Sequence, residues 1–434
     1  MQRARFREIF GWAMFDFANQ AYTLLIITVI FGDLFTRVIV GDASHDYRMG
    51  NLLWSIALAL SYLAVVVTAP VAGAVMDFTQ ARKRFLFASY VLTVVSTTLL
   101  YFVAPGYIWL GMALIVVSNF AYAIGESFIA SFLTDLGPRD ALGWISGFGW
   151  ALGYVGGLVA TVFALLLLGE VSLENFDRIR WVGPFAGAFF LVAALPTFIW
   201  LRDRGRQRRL AGDPRRYWVM GYRRVRQTLS DLAAFRDLSI LMISVFFAMA
   251  GIYIVISFTF IYGAQVIGWD ESVRVTMFIL VQITAALGAL GFGFLQDRLG
   301  ARRVYLATLA LWVVAVTLIF ATPWLGRWLP YEAQHVFLVV GCVAGLCLGS
   351  AQSAGRALVG VLAPTKRVGE LFGFWGLAGK LAAIVGILGL GLLQWAVGLH
   401  AAILFCAVLF ALAFISVLFL DEGRGRGIAE AADR

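Results

Sequence analysis

The chain has 434 residues, of which 61% are hydrophobic and only 14% charged, against roughly a quarter charged in ordinary globular domains. Twelve membrane crossings of about 20 residues need roughly 240 apolar positions; the composition supplies them with little to spare, so a soluble multidomain enzyme is excluded. A formal charge of +9 then reads first as orientation in a membrane and only second as affinity for nucleic acid.

Apolar runs broken by polar intervals predict twelve helices, at 12–36, 50–75, 85–104, 107–133, 141–169, 183–201, 239–267, 271–295, 303–322, 334–361, 369–396 and 399–420. Long apolar stretches without alternation satisfy their backbone in hydrocarbon as helices, not as a barrel. The N-terminus is basic (Arg3, Arg5, Arg7), but the run behind it holds Asp16, Asn19 and Gln20 and continues past Phe35, so no cleavable signal peptide is expected. The predicted organisation is an all-α polytopic membrane protein. A six-helix bundle covers 1–201, a basic linker 202–237, a second six-helix bundle 238–422 and a tail 423–434.

Basic residues set the topology. The even-numbered connections carry Arg82, Lys83 and Arg84; Arg139; Arg298, Arg302 and Arg303; and Lys366 and Arg367. The central interval 202–236 holds eleven arginines against three aspartates, whereas the odd-numbered connections hold only Arg37, Arg48, Arg178, Arg180, Arg274 and Arg327. Both termini and the central interval are therefore expected in the cytoplasm of a bacterial inner membrane. Tyr217, Trp218, Val219, Met220 and Tyr222 interleave with the central arginines, which suits a linker helix lying on an anionic leaflet. No nucleic-acid partner is expected.

An internal repeat divides the chain. Gly73, Asp77 and Arg82-Lys83 recur at the same spacing as Gly293, Asp297 and Arg302-Arg303, 220 residues on. At an offset of 226, Glu126-Ser127 faces Gln352-Ser353, Pro138 faces Pro364, and Gly143, Gly147 and Gly153 face Gly369, Gly373 and Gly379. Two registers in the same order argue for duplicated six-helix halves. Asp77 and Asp297 end their helices at the cytoplasmic face, where a carboxylate can meet the positive end of another helix. The arginines that follow can neutralise it, and the glycine four residues earlier permits close approach. Asp77, Arg82, Asp297 and Arg302 thus form a candidate gate that breaks when the halves rock.

These residues resemble the loop signature of the major facilitator superfamily, G-x-x-x-D-x-x-G-R-[RK], nearly intact at Gly293–Arg303. In the first copy Gln80 replaces the preferred glycine and Ala81 the preferred arginine, so a weaker latch is expected there. The resemblance implies two six-helix bundles around a central solute path with alternating access. More narrowly, the Trp12–Tyr22 segment, Phe132–Leu136 and the Ser146–Gly157 segment look like the vacuole-effluxer-like branch. Its fungal members are associated with the release of amino acids.

Charges at membrane depth are costly and face a cavity or one another. Counting 1.5 Å per residue from the cytoplasmic ends puts Lys380 near the midplane and Glu126, Arg356 and Asp16 roughly a third of the way in. Glu126 and Arg356, on symmetry-mate helices, are expected to pair as a further gate. Lys380, a lone cation, is the leading contact for a carboxylate or phosphate on the solute. Asp16 and Glu126 are the proton-coupling candidates. Plainer readings are a permanent ion pair, a snorkelling lysine and a helix-capping aspartate. Softer substrate contacts are Asn19, Tyr22, Asn119, Tyr122, Tyr154, Tyr253, Gln282 and Gln352, any of which can instead be interhelical glue.

Cys342, Cys347 and Cys406 lie in apolar runs without CxxC spacing, and His45, His335 and His400 are scattered, so neither a disulfide framework nor a metal is indicated. No P-loop, HExxH or GxSxG is present. The expectation is a cofactor-free, monomeric secondary transporter of a small polar solute (amino acid, short peptide or organic anion), coupled to protons. The alternative within transport is an amphiphile such as a lipid or glycan precursor. A polytopic enzyme or a non-transporting receptor is the outside alternative.

Overall fold

The structure, a computed structural model, describes residues 4–41, 48–169, 171–204, 219–223, 226–227 and 235–433. Among them are twelve helices long and apolar enough to cross a membrane. They are α1 (Phe6–Val40), α2 (Leu52–Thr79), α3 (Arg82–Phe102), α4 (Ile108–Leu136), α5 (Arg139–Leu168), α6 (Phe176–Trp200), α7 (Arg236–Thr259), α8 (Ser272–Leu299), α9 (Ala301–Trp328), α10 (Ala333–Leu362), α11 (Thr365–Gln394) and α12 (Leu399–Leu418). A short polar helix, α13 (Glu422–Asp433), follows. Most of the basic linker expected over 202–237 lies outside the described residues.

The twelve spans form two pseudo-symmetric bundles, α1–α6 and α7–α12. Each bundle ties its first span to its last by the same device, a hydroxyl donating to a backbone carbonyl. Thr197 Oγ1 reaches Gly11 O at 2.7 Å, and Ser244 Oγ reaches Ala413 O at 2.9 Å. The symmetry extends to distortions that the apolar pattern does not predict. The spans α1 and α7 both give way to π-helical turns toward the same end, at Thr23–Val29 and Phe35–Val40 in the first half and Gly263–Ile267 in the second.

The start of α1 lies beside the end of α4, where Ala4 N donates to Leu136 O at 2.9 Å, and α13 packs on the same side. We call this the terminal face. There the two halves are closed on each other along two seams related by the repeat. Asp77 accepts from Gly369 N and Glu370 N, both at 2.9 Å, and Asp297 accepts from Gly143 N at 2.9 Å and Trp144 N at 3.0 Å. Each carboxylate thereby satisfies backbone donors at the N-terminus of a helix in the opposite half, α11 and α5 respectively. The neighbouring glycines allow the approach. A Cβ on Gly73 would collide with Gly369 O, and one on Gly147 with Ala289 O.

Gln80 takes φ +53°, the left-handed backbone that Gly300 adopts at the equivalent place (φ +93°). Its amide donates to Asp77 O at 2.6 Å, so the departure from glycine is accommodated locally. Asp77 makes the same two cross-half bonds as Asp297, and in this geometry the first latch is not the weaker.

Helix α13 straps the terminal face. Asp433 accepts from Thr365 N at 2.8 Å and pairs with Arg139, Arg426 pairs with Asp140, and Arg424 pairs with Asp237 at 2.7 Å. Glu422 accepts from Arg302 N at 2.8 Å, capping α9. Arg139 and Asp140 belong to the first half, and the other partners to the second.

Replacing Asp297 with Ala removes two charge-assisted hydrogen bonds. At about 1.5–3 kcal/mol for a bond to a charged group, less the water each end regains, the terminal face should loosen by about 2 kcal/mol, roughly 30-fold in its open population. With the three natural cysteines replaced, a cysteine at buried Leu142 should then react with a membrane-impermeant maleimide at least tenfold faster than in the Asp297 background. An unchanged rate would refute the latch.

Candidate functional site

The intramembrane charges sit where the halves meet, and both pairs cross the boundary. Arg356 of α10 donates through Nη1 to Asp16 Oδ2 of α1 at 2.7 Å. It also donates through Nε to Ser146 Oγ at 3.1 Å and through Nη2 to Ser146 O at 2.9 Å, both on α5. Its guanidinium lies 4.7 Å from the Trp12 ring centroid and 5.2 Å from that of Trp150, so stacking supplements the ion pair. Arg356 is 2% exposed; a cation so buried persists only with its donors satisfied.

Lys380 of α11 donates to Glu126 Oε2 of α4 at 3.0 Å and to Tyr253 Oη of α7 at 3.3 Å. Tyr122 Oη donates to Glu126 Oε1 at 2.9 Å and shares a 2.8 Å hydrogen bond with Thr23 Oγ1, at the first π turn of α1. The ammonium lies 5.3 Å from the Tyr62 ring, 5.8 Å from Tyr253 and 6.0 Å from Tyr122.

The pairing differs from the sequence expectation. Glu126 meets Lys380 and not Arg356, and Lys380 is not a lone cation. Counting residues along a helix gives depth but not the direction a side chain faces, and four charges at similar depth can pair in more than one way. Arg356 faces α1 and α5, leaving Glu126 to α11.

Two cavities adjoin the pairs. A large one of about 790 Å³ is floored by Glu126, Lys380, Tyr122 and Tyr253 and extends away from the terminal face past Ile27, Trp54 and Ile384. Its wall is mostly aliphatic and aromatic, and its volume is in the range of small-molecule sites. A small one of about 20 Å³ is lined by Asp16, Asn19, Gln20, Glu126, Trp150 and Arg356. It has room for a single water between the two carboxylates. Gln20, Glu126, Trp150 and Trp375 line both.

The other expected contacts divide. Asn119, Tyr122, Tyr154, Tyr253, Gln282 and Gln352 line the large cavity. Tyr154 donates to Gln352 Oε1 at 2.6 Å across the halves, and Asn119 donates to Ser61 Oγ at 2.6 Å. Asn19 lines the small cavity. Tyr22 is not among the lining residues; its hydroxyl bonds Ser118 at 2.8 Å and its ring stacks on Tyr122 at 4.6 Å, which makes it support for the wall.

The gate arginines work within their own halves. Arg82 bonds Asp135 and Ser131 O and lies over Phe132, while Arg302 donates to Val417 O and Leu418 O. The latch aspartates already have helix N–H donors, which leaves the arginines free to anchor the ends of α4 and α12. Residues missed from sequence are Tyr62, Thr23 and Ser146. Ser146 and Trp12 do lie in the segments that carry the branch resemblance. No group of His, Cys, Asp and Glu able to hold a metal is found among the described residues.

Comparison with known proteins agrees with this architecture. Residues 141–430 match the family described as vacuole effluxer Atg22 like. An uncharacterized MFS-type transporter of Bacillus subtilis, YxiO, is 22% identical over 426 residues, covering 97% of this chain and 96% of that protein. Autophagy-related protein 22-1 of Penicillium rubens is 23% identical over 303 residues, covering 66% of this chain but only 50% of the fungal protein's own length. Among solved structures, the MFS proton:xylose symporter XylE bound to 6-bromo-6-deoxy-D-glucose superposes with a TM-score of 0.76 at 15% identity, covering 99% of each chain. At that identity it speaks for the fold alone.

Removing one partner of a buried ion pair typically costs about 3–5 kcal/mol, because the other charge is stranded. Arg356→Met should therefore lower the unfolding temperature in detergent markedly. Adding Asp16→Asn should restore most of the loss, and adding Glu126→Gln should not. Rescue by Glu126→Gln instead would mean that the pairs are exchanged.

Proposed function

The chain belongs to the vacuole effluxer Atg22-like family of major facilitator transporters, and on that premise we propose that it is a proton-coupled secondary transporter of a small polar solute bearing both an ammonium and a carboxylate, an amino acid or short peptide. The observation that carries this reading is the Glu126–Lys380 pair, opposite charges contributed by the two halves on the floor of a cavity of about 790 Å³. A zwitterion can exchange with that pair, its ammonium on Glu126 and its carboxylate on Lys380, so that charge remains matched at every stage. The bound solute then bridges the two bundles in place of the ion pair.

The two sets of contacts support an alternating-access cycle. With the terminal face latched by Asp77 and Asp297, the cavity serves the opposite side. Rocking the bundles would part those caps and the Arg356–Asp16 pair together, because all three cross the same boundary. A carboxylate that loses its cation in a dry site is most easily accommodated by binding a proton. Asp16, which lines a water-sized cavity with Glu126 but does not line the large one, suits that role. The excess of arginine and lysine on the terminal face supports a cytoplasmic placement of that face, in a bacterial inner membrane.

The apolar upper wall of the cavity favours a second reading, an amphiphile with a zwitterionic head, such as a lipid or glycan precursor.

Proteoliposome uptake distinguishes them. Amino acids or dipeptides should accumulate above equilibrium when the side facing the open cavity is made acidic, and accumulation should stop when the gradient is collapsed. Asp16→Asn should abolish gradient-driven accumulation while retaining solute exchange, and Glu126→Gln should lower both at least tenfold. Movement of a fluorescent lipid, without uptake of any amino acid or dipeptide by well-folded protein, would establish the second reading.

A further inference from the structure

Lys380 sits in surroundings that would suit a mobile ligand as well as a side chain. Its ammonium has a carboxylate on one side, Glu126 at 3.0 Å, the Tyr253 hydroxyl at 3.3 Å, and the rings of Tyr62 and Tyr122 at 5.3 and 6.0 Å. A carboxylate combined with an aromatic box is the chemistry that recognises a cationic nitrogen. Glu126 is itself held in place by the Tyr122 hydroxyl. The seat is therefore preformed, and it opens onto the large cavity.

We propose that Lys380 is a tethered stand-in for the solute's ammonium: it fills the seat made by Glu126, Tyr62, Tyr122 and Tyr253, and it yields that seat only to a solute that also brings an anion. Lysine is suited to this because its charge rides on a flexible four-carbon stem. There is room to withdraw, since Lys380 itself lines the cavity of about 790 Å³. A plain amine that displaced Lys380 would leave a second cation in the site without a counter-charge, a costly outcome at low dielectric. A carboxylate without an amine would leave Glu126 in the same position. Lys380 thus makes the site selective for zwitterions by penalising each half-molecule. The inference rests on the reading of the cavity as the site of an amine-bearing solute, and it adds the residue that sets the selectivity.

The test measures binding of three related probes to the full-length purified protein by tryptophan fluorescence: phenylalanine, 2-phenylethylamine, which lacks the carboxylate, and 3-phenylpropanoate, which lacks the amine. The wild type should bind phenylalanine at least tenfold more tightly than either of the others. Lys380→Met should reverse the order, binding 2-phenylethylamine at least tenfold more tightly than the wild type does, and Glu126→Gln in the same background should remove that gain. If Lys380→Met does not fold, Lys380→Gln, which leaves Glu126 a hydrogen-bonding partner, carries the same expectation. A folded Lys380 variant that gains no affinity for the amine overturns the proposal. If wild type binds phenylalanine in that case, the zwitterion reading survives alone; if wild type binds none of the probes but the variant captures the amine, the ammonium seat stands and the zwitterion reading falls.

Discussion

Four carboxylates hold this protein in the state described, and each is satisfied from the other half of the molecule. Asp77 and Asp297 accept from backbone N–H groups at the starts of α11 and α5, Asp16 accepts from Arg356, and Glu126 accepts from Lys380. In a low-dielectric interior an ionised carboxylate cannot be left without a donor. The two bundles consequently cannot separate at this face unless the carboxylates find other partners. That constraint favours an interface with discrete states over one that deforms gradually, as the proposed alternating access requires.

The four contacts are not equivalent. The latch aspartates use the fixed dipoles of helix ends and lie among glycines that bring backbone against backbone, so they recognise one geometry and no ligand. The ion pairs use side chains that line cavities, where the proposed solute and protons would meet them. Glu126 and Lys380 line the large cavity, whereas Asp16 and Arg356 line only the small one, with the Arg356 guanidinium beside the Trp12 and Trp150 rings. Solute exchange at the upper pair and proton exchange at the lower one would act on the same interface. The small cavity shared by Asp16 and Glu126 is the shortest route between them. Helix α13 adds a strap outside the membrane, with partners on both halves, Asp140 and Arg139 on one side and Thr365 and Asp237 on the other.

Much of this was legible in the sequence because it depends on spacing. The 220- and 226-residue registers located the latch aspartates, the glycines that face them and the six-plus-six division. The apolar runs gave all twelve spans, most ends within about four residues and the largest miss, about eight, at the end of α7. What spacing does not carry is rotation about a helix axis. Asp16, Glu126, Arg356 and Lys380 were recognisable as charges at membrane depth from their places in apolar runs, but their partners depend on which way α1, α4, α10 and α11 face. Tyr22 shows the same limit from the other side. It falls on a cavity-forming helix, yet its azimuth places it behind Tyr122 as a buttress. Tyr62 was passed over because a tyrosine in the middle of an apolar run gives no sign that it borders a cation.

The central claim is that cross-half carboxylate contacts set the conformational equilibrium. The most direct test is the distance between spin labels at Arg84 and Lys366, exposed positions on opposite halves of the terminal face, measured by pulsed electron resonance in nanodiscs. The account predicts one short distance for the resting protein and a second, longer population when Asp77 and Asp297 are both changed to Asn or when the pH is lowered enough to protonate the carboxylates. A single unchanged distance in the double variant and across pH would contradict it.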